Sequence, residues 1–168
     1  MANPKGPLAG IRVVEQGTFI TGPCAAMMLA DLVITPVNDS FVDLDLIGEV
    51  DADSFRVTRP SFYAETVWKA RQARARADGA SVDWVVLRNR LSMLEARNRR
   101  RVGEAIDELA RRVGFRVAPG LSERVIYREL FPKGLTLLDK GAFGDMSMGH
   151  VAARAELRTL MQALGLRG

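Results

Sequence analysis

The run Val82-Asp83-Trp84-Val85-Val86-Leu87 (VDWVVL) is interrupted by a single charge. A strand with one wet face would alternate apolar and polar residues, so this run predicts a strand covered on both faces, near the middle of a sheet. Helices must then supply the cover. Upstream, Ser61 to Ala77 fits one: Ser61 can cap the first turn, Tyr63, Val67 and Ala70 recur at helical spacing, and Asp78 with Gly79 supplies the stop. Downstream, Ser92 and Glu95 form a capping box, and Val102, Ala105, Ile106, Leu109, Ala110 and Val113 keep the helical period up to Gly114. The opening turns of that helix, EARNRRR (95–101), lack an apolar stripe. They are expected to stand in solvent with Arg97, Arg100 and Arg101 displayed.

Further out the alternation continues. IRVVE (11–15) reads as a strand, Gly17 and Gly22 as a turn, and the stretch after Pro23, CAAMMLADL, as a helix with proline in its first turn. LVIT (32–35) is the next strand, ended by Pro36. These elements form a β-α-β unit, which in one sheet is parallel and right-handed. The acidic stretch NDSFVDLDLIGEVDADSF (38–55) predicts a short helix with Phe41, Leu44, Leu46 and Ile47 on one side. Phe115 to Ala118 is a short strand. Leu121 to Phe131 is a helix stopped by Pro132, and Ser147 to Leu164 a terminal helix buried through Leu157, Leu160, Met161 and Leu164. Strands alternating with helices predict an α/β fold in three layers around a mostly parallel sheet.

At 168 residues, with 48% hydrophobic and 26% charged residues, the chain suits one well-buried domain and not a collagen-like, low-complexity or disulfide-framework protein. One cysteine, Cys24, and one histidine, His150, cannot build a Cys/His zinc site, and the reducing cytoplasm is the expected setting. No run approaches the roughly 20 apolar residues of a membrane span, and the first residues lack an export pattern. Charge is segregated. Residues 31–66 carry two arginines against eight acids, whereas residues 69–116 carry thirteen Lys/Arg against six acids, nearly all of the cations being arginine. Such clustering is the footprint of phosphate recognition, and equally of a solvated helix face.

Few residues suggest chemistry. Gly17 and Gly22 have phosphate-loop spacing between a strand and a helix, but Pro23 and Cys24 stand where that loop needs Lys and Ser or Thr. Cys24 reads as a small buried hydrophobe and His150 as a helix-start or surface residue. Asp39, Asp43, Asp45, Asp51 and Asp53 lack the spacing and glycine of a calcium loop, so an acidic surface is expected. Neither a catalytic set nor a metal site is predicted. Asn89, taken alone, is a left-handed or capping residue after a strand.

Two resemblances add to this reading. From Asp31 onward, strings such as TPVNDSFVD, DWVVLRNRLSMLEARNRRRV and RVIYRELFP resemble the carboxyl-terminal half of the MipZ family, division-plane positioning ATPases of the ParA/MinD group of deviant P-loop NTPases. The resemblance implies residues 31–168 as part of a P-loop NTPase fold, ATP and Mg as cofactors, and FtsZ, ParB and non-specific DNA as partners. It also implies a homodimer and a nucleoid-associated place in the cytoplasm. Asn89 and Arg90 match the family's Asn-Arg element, which reads the adenine edge, and Pro119 and Gly120 lie where the family closes over the base. DNA contact would fall to Arg97, Arg100 and Arg101. The family's KGGxGKS/T loop, its second catalytic Asp region and its DTPGG strand end are not found in these 168 residues, so ATP hydrolysis is not expected of them. Residues 1–32, PLAGIRVVEQGTFITGPCAAMMLADL, resemble instead the start of family III CoA transferases, which implies a fusion near residues 30–32 packed into one domain. A CoA-transferase remnant and a folded fusion product without function are the alternative readings.

Overall fold

Val85 and Val86 expose no surface, and the run that contains them is the middle strand of the sheet. The computed structural model describes residues 30–51, 54, 56–92, 96–139 and 148–166. Within them the strands are β1 (Leu32–Asn38), β2 (Gly48–Val50), β3 (Val57–Pro60), β4 (Asp83–Asn89) and β5 (Arg116–Ala118). The helices are α1 (Phe41–Leu44), α2 (Phe62–Asp78), α3 (Ala96–Val113), α4 (Val125–Leu130) and α5 (Met148–Ala163). β4 lies between β1 and β5, parallel to both. Its register with β1 runs unbroken from Leu32 opposite Asp83 to Asn38 opposite Asn89, so the two strands end together.

Because side chains alternate across a strand, β4 feeds two cores. Trp84 and Val86 join Val37 in a core completed by Ala64, Val67 and Ala70 of α2 and by Val102, Ile106 and Leu109 of α3. Val85 and Leu87 face the other way, against Ala118 and Leu160 of α5. This is the expected α/β arrangement, with helices on both faces of a mostly parallel sheet. A third cluster, Ile126, Leu130, Leu137 and Ala153, fastens α4 to α5. The Trp84 ring, 1% exposed, meets Tyr63 edge-on at 6.2 Å and Phe115 at 5.1 Å.

The expected boundaries of α2 hold: the Ser61 hydroxyl accepts from the Ala64 N–H, and Gly79, at φ 75°, ends the helix in left-handed geometry. Several others need correction. β1 does not stop before Pro36 but runs three residues on to Asn38. Among the described residues β1 is an outer strand, where a proline can turn its donorless nitrogen away from the neighbour. Among the described residues of the acidic stretch only Phe41–Leu44 is helical, capped by the Ser40 hydroxyl on the Val42 N–H. Leu44 and Ile47 are buried while Leu46 is exposed. Gly48–Val50 of that stretch pair antiparallel with Val57–Pro60 as β2 and β3, a hairpin that the sequence reading lacks. Gly48 lets this hairpin lie close on α3, since a Cβ there would stand 2.5 Å from Leu109 Cδ2. α4 begins at Val125, not Leu121, and Pro132 lies inside a 3-10 turn, Phe131–Lys133, that prolongs it. Glu95 of the capping box, the 11–15 strand, the Gly17–Gly22 turn, Pro23 and Cys24 lie outside the described residues.

Candidate functional site at the carboxyl end of the sheet

In open parallel sheets, ligands settle beyond the carboxyl ends of the strands. Asn89 closes β4 at that end, and Pro119 and Gly120 follow β5 at the same end. The structure brings the two segments together. The Leu121 N–H donates to the Arg88 carbonyl at 2.9 Å, the Leu91 N–H to the Leu121 carbonyl at 3.0 Å, and the Glu123 N–H to the Leu91 carbonyl at 3.1 Å. This ladder continues the β4–β5 pairing past the strand ends. Gly120 permits it: a Cβ there would sit 2.5 Å from Leu91 Cδ1 and 2.9 Å from the Arg88 carbonyl oxygen.

Asn89 stays in extended geometry as the last residue of β4, so it is neither the left-handed residue nor the cap that it resembles in isolation. The left-handed residue is Arg90, at φ 54°. A bulky side chain there is uncommon, and such outliers gather where a loop is held in a required shape. Among the described residues the Asn89 amide has no hydrogen-bond partner, which leaves its donor and acceptor available to a planar edge. The Arg90 guanidinium, by contrast, is bonded to Glu123 at 2.9 Å.

The segment after Gly120 is pinned to α5. Glu156 accepts from the Ser122 hydroxyl at 2.9 Å, from the Ser122 N–H at 3.2 Å and from Arg124 at 2.6 Å. Burial pushes the Glu156 carboxyl up, but the hydrogen bonds from Arg124 and Ser122 together outweigh it and hold the group below its ordinary value.

Asp39 is a correction to the acidic-surface reading. Its side chain is 5% exposed and lies directly beyond β1. It accepts from Arg88 Nε at 3.0 Å and from Nη2, and Arg88 Nη2 also donates to the Arg99 carbonyl in α3 at 2.8 Å. The sequence reading missed this pair. Its signal was available only through the register: once β1 and β4 align as parallel neighbours, Asp39 and Arg88 fall side by side at their ends.

Arg97, Arg100 and Arg101 are exposed in the opening turns of α3, at the same end of the sheet. Arg97 and Arg101 share a face, with Arg100 beside them. Arg100 lies 3.7 Å from Glu104, an exposed pair of small energetic weight. Other arginines of the basic segment are engaged elsewhere: Arg74 with Asp78 and Asp31, Arg112 with Glu108, Arg116 with Asp83. Part of the basic excess therefore holds the fold, while Arg76 and Arg111 are exposed as well as the arginines that open α3.

A family model described as ATPase MipZ matches residues 21–168. The chain belongs to the MipZ ATPase family. MipZ proteins are ParA-type ATPases of cell division, and the parallel sheet with helices on both faces is compatible with part of their P-loop NTPase fold. No curated protein matches the chain. The MipZ match begins ten residues before Asp31, the point from which the sequence resemblance runs. Among the described residues no helix is long and apolar enough to cross a membrane, and no group of three or more His, Cys, Asp or Glu is placed to hold a metal ion. Among the described residues the groups beyond β4 and β5 are the Asn89 carboxamide, a glycine-backed loop, and the carboxylates of Asp39 and Glu156, both bonded to arginine.

Proposed function

We propose that this chain is a MipZ-type cell-division regulator that holds an adenine base at Asn89, Arg90, Pro119 and Gly120, binds duplex DNA through Arg97, Arg100 and Arg101, and does not hydrolyse ATP with these 168 residues. The observation that carries the reading is the ladder that closes the Pro119–Gly120 segment onto Arg88–Leu91, beside an Asn89 carboxamide that has no hydrogen-bond partner among the described residues. In this reading Asn89 pairs with the adenine edge, Arg90 and its Glu123 partner fix the loop, and Pro119 with Gly120 covers one face of the base. Family membership supports FtsZ and ParB as protein partners, a homodimer and a nucleoid-associated place in the cytoplasm. It supports ATP with Mg as the family's ligands, which here would be gripped by the base alone. Residues 1–32 are the segment of CoA-transferase-like origin and 31–168 the MipZ-like remainder. The junction in this reading lies near residues 30–32, and the MipZ match from residue 21 overlaps the CoA-transferase-like segment by twelve residues.

Titration with ATP, ADP and adenosine, with and without Mg, tests the site. Weak binding that depends on the base, ignores Mg and disappears in Asn89→Ala is the expected result, with no phosphate release above a blank. Micromolar or tighter ATP affinity with strong Mg dependence would contradict it.

A further inference from the structure

Arg88 is engaged at three points. Its carbonyl accepts from Leu121 in the ladder that forms the base loop, its guanidinium is held by the nearly buried Asp39, and the same guanidinium donates to the Arg99 carbonyl of α3. The side chain is only 17% exposed. α3 accommodates it with a glycine: a Cβ on Gly103 would stand 3.1 Å from Arg88 Nη1. The guanidinium therefore fills a notch in the helix directly below the turn that carries Arg100 and Arg101. We propose that Arg88, latched by Asp39, is a positioning residue that ties the arginine-bearing start of α3 to the base loop.

This rests on the reading of Arg97, Arg100 and Arg101 as DNA contacts, and Arg88 itself touches no DNA. The physical reason is local. Among the described side chains of α3 the first to join the core is Val102, so burial holds the arginine-bearing turns before it weakly and polar contacts fix their place. One planar guanidinium donates to Asp39 through Nε and Nη2 and to the Arg99 carbonyl through Nη2, a fixed fork that the single nitrogen of a lysine cannot reproduce. A glycine inside a helix is normally a liability, and here it makes room for the latch.

Amide hydrogen exchange and duplex titration on Arg88→Met, Arg88→Lys and Asp39→Asn test the proposal. Arg88→Met is expected to speed exchange over residues 99–104 by about tenfold while Val85 and Val86 keep their protection. It should also weaken low-salt duplex binding about fivefold and flatten its salt dependence. Arg88→Lys should fall between it and wild type. If Arg88→Met does not fold, Asp39→Asn decides, with the same local effect at smaller size. Unchanged exchange over 99–104 in the folded variants, or equal loss of protection across β4, overturns the proposal. A wild-type chain that binds no duplex while the local exchange difference persists would remove the DNA reading and leave the latch standing.

Discussion

Trp84 and Thr35 are joined across the β1–β4 pair: the indole N–H donates to the Thr35 hydroxyl at 3.0 Å, inside the core. The same hydroxyl meets the Tyr63 hydroxyl at 2.7 Å, so one side chain ties β1, β4 and α2. Thr35 is 8% exposed and isosteric with valine. Thr35→Val would keep the volume and leave a buried indole donor and the Tyr63 hydroxyl without this partner, a loss of about 1–3 kcal/mol. Urea unfolding should show a lower midpoint for Thr35→Val and a smaller shift for Thr35→Ser. Equal midpoints for Thr35→Val and wild type would show that the network contributes nothing net.

Gly120→Ala tests the base loop without touching a charge. Gly120 does not have a positive φ, so its cost is steric: the new methyl meets the Arg88 carbonyl, which is backbone and cannot swing aside. Overpacking of this kind costs about 1–3 kcal/mol, here concentrated where β5 leads into Leu121. Exchange of the Leu91 and Leu121 amides should rise above that of the core strands, and base-dependent adenosine binding should fall.

Acidification should weaken the tie between α5 and the loop after β5. Glu156 has a folded-state value below its ordinary 4.5, so its contribution is present above that value and is lost as pH falls through the folded one. The stability gap between wild type and Glu156→Gln, measured in urea, should be constant near neutrality and shrink as pH drops below about 4.5. A gap that widens in acid would reverse the sign argued here.

The opening of α3 should bind duplex DNA weakly and without sequence preference. Contact with about three phosphates gives a slope of log affinity on log salt near −2.7. The triple variant Arg97→Ala, Arg100→Ala, Arg101→Ala should flatten that slope and weaken all duplexes alike, while circular dichroism stays unchanged. A triple variant that binds as well as wild type would remove these arginines from the account.

The parts of the fold that the sequence discloses are those with long periodic signals. VDWVVL reads as a central strand because both of its faces are buried, and α2 reads correctly to its caps because Ser61 and Gly79 act locally. The β2–β3 hairpin is illegible because strands of three and four residues are too short to show alternation, and its tightness depends on Leu109, sixty-one positions from Gly48. Asp39 misled for a related reason. An aspartate after a strand looks solvated until the partner that covers it, Arg88, is known to be adjacent, and adjacency comes from the register. Asn89, Arg90, Pro119 and Gly120 are pointed to by family likeness alone. The ladder that brings their two segments together is made by their neighbours Arg88, Leu91, Leu121 and Glu123, and it follows from the parallel pairing, which no local pattern displays.

The two tryptophans make the molecule its own optical gauge. Trp84 is sealed between Tyr63 and Phe115, whereas Trp68 stands 48% exposed on α2. An aqueous quencher such as iodide will therefore reach Trp68 first, and the light that survives will come from the centre of the sheet. Under selective quenching, a red shift of that residual emission marks entry of water between β4 and its helices. Changes confined to the surface of α2 leave it untouched. Loss of the core and loosening of the periphery can thus be separated in one cuvette, with no label added.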